Sequence, residues 1–243
     1  MKIAVAQTSP VKGDIAANLS KHQQMAESAA ALGARLVVFP ELSITGYEPE
    51  LAKELAADQN DPRLEPLQSL SNEYGITIGV GMPIAVEGSL PQIGLIFFQP
   101  DQPRITYAKQ HLHADEIPYF SPGNQQVYLE LSGFKIGLAI CYELSVPEHA
   151  ANVHQAGADI YLVSEAKTVP GVEKAIHTLT DTSARYDMAV LMSNCIGLCD
   201  NTICGGRSAV WDNKGNLLTE LEADQEGILV LDLASWETQS IIG

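Results

Sequence analysis

Three side chains of different chemistry occupy equivalent places in this chain. Glu41 follows the apolar run 35–39, Lys109 follows the run 104–108, and Cys141 follows the run 134–140. Each run is short, and its residues predict a strand. All three side chains therefore sit just past strand ends. Residues at strand ends on one rim of a sheet converge, and open α/β sheets place their sites there. A thiol, a carboxylate and an ammonium that meet can perform acyl chemistry. A free cysteine is only a few per cent thiolate at neutral pH, so it needs a base. Glu41 can take the proton, and Lys109 can stabilise the resulting charges and donate to an oxyanion.

Cys141 is placed best of the three. It lies in Gly137-Leu138-Ala139-Ile140-Cys141-Tyr142-Glu143-Leu144-Ser145-Val146-Pro147-Glu148-His149. Pro147 and the alanine-rich stretch after it predict a helix start. Cys141 then stands at a strand-to-helix elbow, where nearby backbone N–H groups are free to hold a negative oxygen. Each residue also has a plainer reading. Cys141 fits a small buried core position, while Glu41 and Lys109 fit solvated surface charges.

Other residues have weaker patterns. His111, His113 and Glu116 could hold a metal, although ordinary loop histidines account for the first two. Cys195, Cys199 and Cys204 are spaced C-x3-C-x4-C, which is not a usual zinc pattern, and they read as loop or core thiols. His149, His154 and His177 follow Cys141 but lie in expected helices without the signature of a Cys–His pair. Tyr47, Tyr119, Phe120 and the Glu165-Ala166 segment suit a pocket wall and suit ordinary packing equally.

The elements that must position these groups can be read along the chain. Strands are expected at 2–7, 35–39, 76–83, 94–99, 104–108, 127–131, 134–140, 160–163, 189–193, 206–211 and 228–233. Helices are expected at 15–32, ended by Gly33, and at 51–57, 66–74, 147–155 and 172–186. No repeat, low-complexity tract or linker interrupts them. One domain over residues 1–243, with helices covering sheet, is the economical α/β reading.

A formal net charge of −16 argues against nucleic-acid and anionic-membrane partners. No run reaches the ~18 apolar residues of a membrane span. The first residues read as a strand and not as a signal peptide. A cytoplasmic location with reduced thiols is the expectation.

Phe39-Pro40-Glu41-Leu42 with Thr45-Gly46-Tyr47, then Tyr107-Ala108-Lys109-Gln110-His111-Leu112, then Gly137-Leu138-Ala139-Ile140-Cys141-Tyr142-Glu143 resemble, in order, the three signature segments of the nitrilase, or carbon–nitrogen hydrolase, superfamily. Ile3-Ala4-Val5-Ala6-Gln7 and Gly205-Gly206-Arg207-Ser208-Ala209-Val210 also look like family elements. The resemblance implies a four-layer α-β-β-α sandwich and a Glu-Lys-Cys triad. It makes Glu41 the general base, Cys141 the nucleophile and Lys109 the stabiliser of the tetrahedral intermediate. The Tyr142 backbone N–H becomes a second oxyanion donor, and Glu116 a second glutamate that positions substrate or Lys109. The implied reaction is hydrolysis of a small-molecule amide, ω-amide or N-carbamoyl bond by water, with no metal or cofactor. A homodimer touching through the helix after Cys141 is implied too. A nitrile substrate, acyl transfer to an amine, and a non-catalytic binding protein on the same fold are the alternatives. The sequence departs from the family at Glu143 and Ser145, where aspartate and arginine are common, and at Thr182-Ser183-Ala184-Arg185-Tyr186. These positions shape or buttress the pocket, so no relative's substrate transfers on resemblance.

Overall fold

The strands expected from the apolar runs form two sheets in a computed structural model that describes residues 1–243. The chain begins β1 (Lys2–Gln7), α1 (Ile15–Ala31), β2 (Ala34–Val38), α2 (Ala52–Leu55), α3 (Glu65–Tyr74), β3 (Thr77–Ile84), β4 (Gln92–Phe98) and β5 (Ile105–Ala108). It continues through β6 (Tyr128–Leu131), β7 (Phe134–Ile140), α4 (Pro147–Gln155), β8 (Ile160–Ser164), α5 (Val169–Tyr186) and β9 (Ala189–Ser193). The last part adds β10 (Ile196–Cys199), β11 (Thr202–Gly205), β12 (Ala209–Trp211), β13 (Leu217–Glu220), β14 (Gly227–Asp232) and β15 (Thr238–Ile242).

One sheet has seven strands in the order β15-β14-β1-β2-β3-β4-β5, and the other has six in the order β13-β12-β9-β8-β7-β6. Alternation along each strand decides what lies between the layers. From β1, Ile3 and Val5 join Leu138, Ile140, Leu162 and Leu191 of the second sheet in a core between the sheets. Ala4 and Ala6 point the other way and pack with Leu19, Ala26 and Ala29 of α1 and Leu67 and Leu70 of α3. On the outer face of the second sheet, Ala139, Tyr161, Val163 and Met192 pack with Val153 of α4 and Val172 and Leu179 of α5. The result is a four-layer α-β-β-α sandwich. Burial on both faces explains why the central strands read as unbroken apolar runs.

Several boundaries differ from the sequence reading. The helix expected at 51–57 is only four residues of α2 behind a single 3₁₀ turn, Pro49–Leu51. α5 starts at Val169 and not at the expected 172, so Pro170 belongs to its first turn; proline is tolerated there because that N–H has no helical acceptor. β10, β11, β13 and β15 were not anticipated. β13 and β15 are edge strands with exposed positions, which blur the apolar pattern. β10 and β11 form a hairpin around Asp200-Asn201, and Asp200 takes the left-handed conformation at φ 50°.

The two sheets are tied at the rim that carries the strand ends. The Ser164 hydroxyl, ending β8, donates to the Phe39 carbonyl at 2.9 Å, and the Ser193 hydroxyl, ending β9, donates to the Ala6 carbonyl at 2.6 Å. Gly81 in β3 leaves room for the turn after β2: a Cβ there would lie 2.5 Å from the Pro40 oxygen and 2.4 Å from the Leu42 nitrogen.

Candidate active site

Glu41, Lys109 and Glu116 come together in the interior, exposed by 1%, 0% and 1%. The surface readings of Glu41 and Lys109 are thereby excluded. Lys109 Nζ donates to Glu41 Oε1 at 2.8 Å and to Glu116 Oε1 at 2.6 Å. One ammonium thus serves two buried carboxylates. The Tyr47 hydroxyl donates to Glu116 Oε1 at 3.0 Å, and the His113 backbone N–H donates to Glu116 Oε2 at 2.7 Å. Glu116 is therefore held on both oxygens. Glu41 is held on one only: its Oε2 is buried and without a partner.

Each group is fixed by its strand. The Glu41 N–H donates to the Glu165 carbonyl at 3.2 Å, so the ends of the two sheets meet at this residue. The Lys109 N–H donates to the Ile93 carbonyl at 2.8 Å, and the Lys109 carbonyl accepts from Gly123 at 2.7 Å. A Cβ on Gly123 would come within 2.3 Å of the Ala108 oxygen, so a larger residue would push this loop off Lys109.

Cys141 ends β7 and opens a 3₁₀ turn, Cys141–Ser145, with φ at 44°. Left-handed backbone at a non-glycine residue is strained and is common at functional turns. The thiol reaches the wall of a cavity of about 280 Å³ shared with Tyr47, His113, Glu116, Tyr142, Ala166 and Lys167. Lys167 Nζ lies 3.5 Å from Cys141 Sγ.

The electrostatics follow from burial. Burial pushes the Cys141 thiol up to about 12, with the Glu41 carboxylate adding to the rise and Lys167 and Lys109 opposing it. Burial also pushes Glu41 up to about 7, against the pull of Lys109. Burial works to lower Lys109, but Glu41, Cys141 and Glu116 outweigh it and hold the ammonium protonated. A neutral thiol therefore stands near a carboxylate whose proton affinity suits exchange near neutral pH.

Tyr47, Tyr142 and Ala166 line the cavity, and Tyr142 packs edge-on against the His113 ring at 5.1 Å between centroids. Tyr119 and Phe120 do not line it. Both their N–H groups donate to the Glu116 carbonyl at 2.9 Å, and this turn sends Phe120 into the core between the sheets. Tyr119 packs against the edge of the same core. Glu165 lies behind the cavity wall, fully buried, with neither carboxylate oxygen hydrogen-bonded.

The histidine alternatives also resolve. His113 pairs with Asp115 at 2.5 Å, while the His111 ring faces His149. His149 is held by the hydroxyls of Tyr107 and Tyr161 and is not a partner for Cys141. Cys195, Cys199 and Cys204 are buried with their sulfurs within 4.8 Å of one another, packed against Tyr47 and Ala166, and Cys199 lines the cavity. Lys167 was missed in the sequence. Its signal was the one that exposed the other three: it lies just past a buried strand, β8.

The geometry joins three segments that the sequence separates, and whole-chain comparison agrees with it. A family model for carbon-nitrogen hydrolase matches residues 2–242. The chain belongs to the carbon–nitrogen hydrolase family. The amidase from Nesterenkonia sp. AN1, solved with the result of Michael addition of acrylamide at its active-site cysteine, superposes with a TM-score of 0.88 at 25% identity, covering 96% of this chain and 93% of that one. A protein described as "Hydrolase in pqqF 5'region" from Pseudomonas protegens is 33% identical over 175 residues, 70% of this chain and 61% of that protein. A glutamine-dependent NAD(+) synthetase from Thermotoga maritima is 26% identical over 243 residues, 96% of this chain but 42% of the synthetase. This family member thus spans between 42% and 61% of the length of these two relatives.

Proposed function

We propose that this protein hydrolyses a non-peptide C–N bond of a small-molecule amide through a thioester on Cys141. The observation that carries the reading is Lys109 shared between Glu41 and Glu116 beside a cavity that exposes Cys141. Cys141 gives its proton to the free oxygen of Glu41 as sulfur attacks the carbonyl carbon. Negative charge gathers on the carbonyl oxygen, which Lys109 and the Tyr142 N–H stabilise. Glu41 then returns the proton to nitrogen as the C–N bond breaks and amine leaves. Water attacks the thioester, giving its proton to Glu41. The C–S bond breaks, the acid departs and the thiol is restored. Glu116 keeps Lys109 oriented through both attacks.

Residues 1–243 act as one domain in this reading. Four free cysteines suit a reducing, cytoplasmic setting, and no helix is long and apolar enough to cross a membrane. A homodimer through α4 fits the groove that Leu144, Val146, Pro147 and Ala150 form with Tyr186; light scattering after gel filtration tests it.

The decisive experiment incubates wild type and Cys141→Ala with a panel of amides and records product release and intact mass. Wild type is expected to release amine and to show a transient acyl adduct. Cys141→Ala is expected to do neither while keeping its circular dichroism spectrum. Full turnover by Cys141→Ala would end the proposal. Transfer of the acyl group to added hydroxylamine in place of water would redefine the reaction as acyl transfer.

A further inference from the structure

The cavity does not stop at Cys141. It adjoins a recess of about 210 Å³ lined by His113, Tyr142, Lys167, Gly171, Lys174 and Thr178, among others. No aspartate or glutamate lines this recess, although the chain as a whole has a formal net charge of −16. The acids near its mouth already have hydrogen-bond partners: Asp115 the His113 ring at 2.5 Å, and Glu116 the Lys109 ammonium at 2.6 Å. Lys167 has no carboxylate partner. Its only side-chain hydrogen bond is to Cys141 Sγ at 3.5 Å, and it makes no ion pair with a carboxylate.

Lys167 is also held in place. Its backbone N–H donates to Asn194 Oδ1 at 2.9 Å, and its carbonyl accepts from Gly205 at 2.8 Å and Asn194 Nδ2 at 3.2 Å. Thr168 and Gly171, at the start of α5, form part of the cavity wall, and no side chain caps that helix end. Its dipole adds positive potential to the same wall. Glu165 is close enough to attract Lys167, but its carboxylate makes no hydrogen bond to it. Burial disfavours the Lys167 ammonium, but Cys141, Glu165 and Glu41 outweigh it, so the side chain stands charged at the cavity wall with no carboxylate oxygen hydrogen-bonded to it.

We propose that Lys167, with Lys174 behind it, holds a carboxylate of the substrate, so that this protein selects amides that carry a carboxylate over neutral amides of similar size. This deepens the hydrolase reading and rests on it. In a near-attack complex the carbonyl carbon sits about 3–3.5 Å from sulfur. Lys167 is therefore within reach of a group a few bonds from that carbon. A hydrogen bond between two charged groups of this kind contributes roughly 10- to 100-fold in affinity.

The test measures kcat/KM for succinamate, N-butyrylglycine and butyramide with wild type, Lys167→Gln, Lys167→Arg and Lys174→Gln. The first two probes place the carboxylate on the acyl and amine sides respectively. Wild type is expected to favour one of them over butyramide by at least ~10-fold. Lys167→Gln should remove that preference, mainly through KM; Lys167→Arg should restore most of it, and Lys174→Gln should remove a smaller part. The proposal is overturned if wild type favours butyramide over both, or if Lys167→Gln slows all three substrates by one factor. That second result would make Lys167 a partner of the thiol alone. If wild type turns over none of the three, the hydrolase reading fails first. The anion site is then read from thermal shifts of Cys141→Ala with succinate. A shift lost in Cys141→Ala/Lys167→Gln supports the site, and no shift with succinate overturns it.

Discussion

The Glu143 carboxylate ties Gln110 to Ile140. Its Oε1 accepts the Gln110 backbone N–H at 2.7 Å, and its Oε2 accepts the Ile140 N–H at 2.7 Å and the Tyr107 hydroxyl at 2.8 Å. Gln110 follows Lys109 and Ile140 precedes Cys141, so one buried side chain sets the distance between the two strand ends. Burial raises the proton affinity of Glu143, and these donors work against that rise.

Glu143→Gln keeps the shape but turns an NH₂ group toward donors. A buried donor left facing donors costs about 1–3 kcal/mol. We expect the melting temperature to fall by several degrees, since each kcal/mol shifts a domain of this size by roughly 2–4 °C. Turnover should fall more than the fold, because Lys109 and Cys141 lose their common strut. Calorimetry and kcat on the same sample check both, and an unchanged kcat would show that the strut does not position the site.

Lys109→Met should be more harmful than an ordinary core substitution. It leaves Glu41 and Glu116 buried together without their cation, and breaking a buried ion pair from one side costs about 3–5 kcal/mol. Adding Glu116→Gln to Lys109→Met should recover part of that stability, because contacting sites are not additive. Urea midpoints at pH 8 measure the recovery. Equal midpoints for the single and double variants would mean that Glu116 does not carry the cost of losing Lys109.

Glu41 gives activity and stability opposite dependences on pH. As the proposed proton acceptor it must be ionised, and its value is pushed up to about 7 by burial. kcat/KM should therefore climb along an acid limb near pH 7. The ordinary value of this carboxyl is 4.5. Between the two values the folded protein keeps a proton that the unfolded chain has released, so the Glu41 contribution to stability falls as pH rises. The window is worth roughly 3 kcal/mol. Melting temperatures of wild type and Glu41→Gln from pH 4.5 to 8 isolate it. The variant should gain on wild type toward high pH, and a constant difference would contradict the raised value.

Cys141→Gly should be about 1 kcal/mol more stable than Cys141→Ala, because glycine accepts the left-handed backbone at 44° without a Cβ penalty. Both variants should be inactive. Denaturant midpoints decide it, and a glycine variant weaker than the alanine one would show that the elbow is unstrained.

The order of strands and helices was legible in the residues because apolar runs report burial directly. The central strands, β1, β2, β7, β8 and β9, are buried on both faces, so their patterns were strongest. The edge strands β13 and β15 face solvent and left no comparable trace. Glu41, Lys109 and Cys141 were also legible, since a reactive side chain directly after a buried strand is a local pattern. What no local pattern holds is the pairing of side chains from distant segments. Lys109 takes two carboxylates 68 and 7 residues away, Lys167 reaches a sulfur 26 residues back, and Phe120 turns into the core while its neighbour Glu116 turns to the lysine. Strand patterns depend on each residue's own exposure, which sequence carries. The charges of the site depend on which carboxylate finally stands beside which ammonium, and that is decided by the order of the strands in each sheet, which brings the ends of β2 and β5, and of β7 and β8, to one rim.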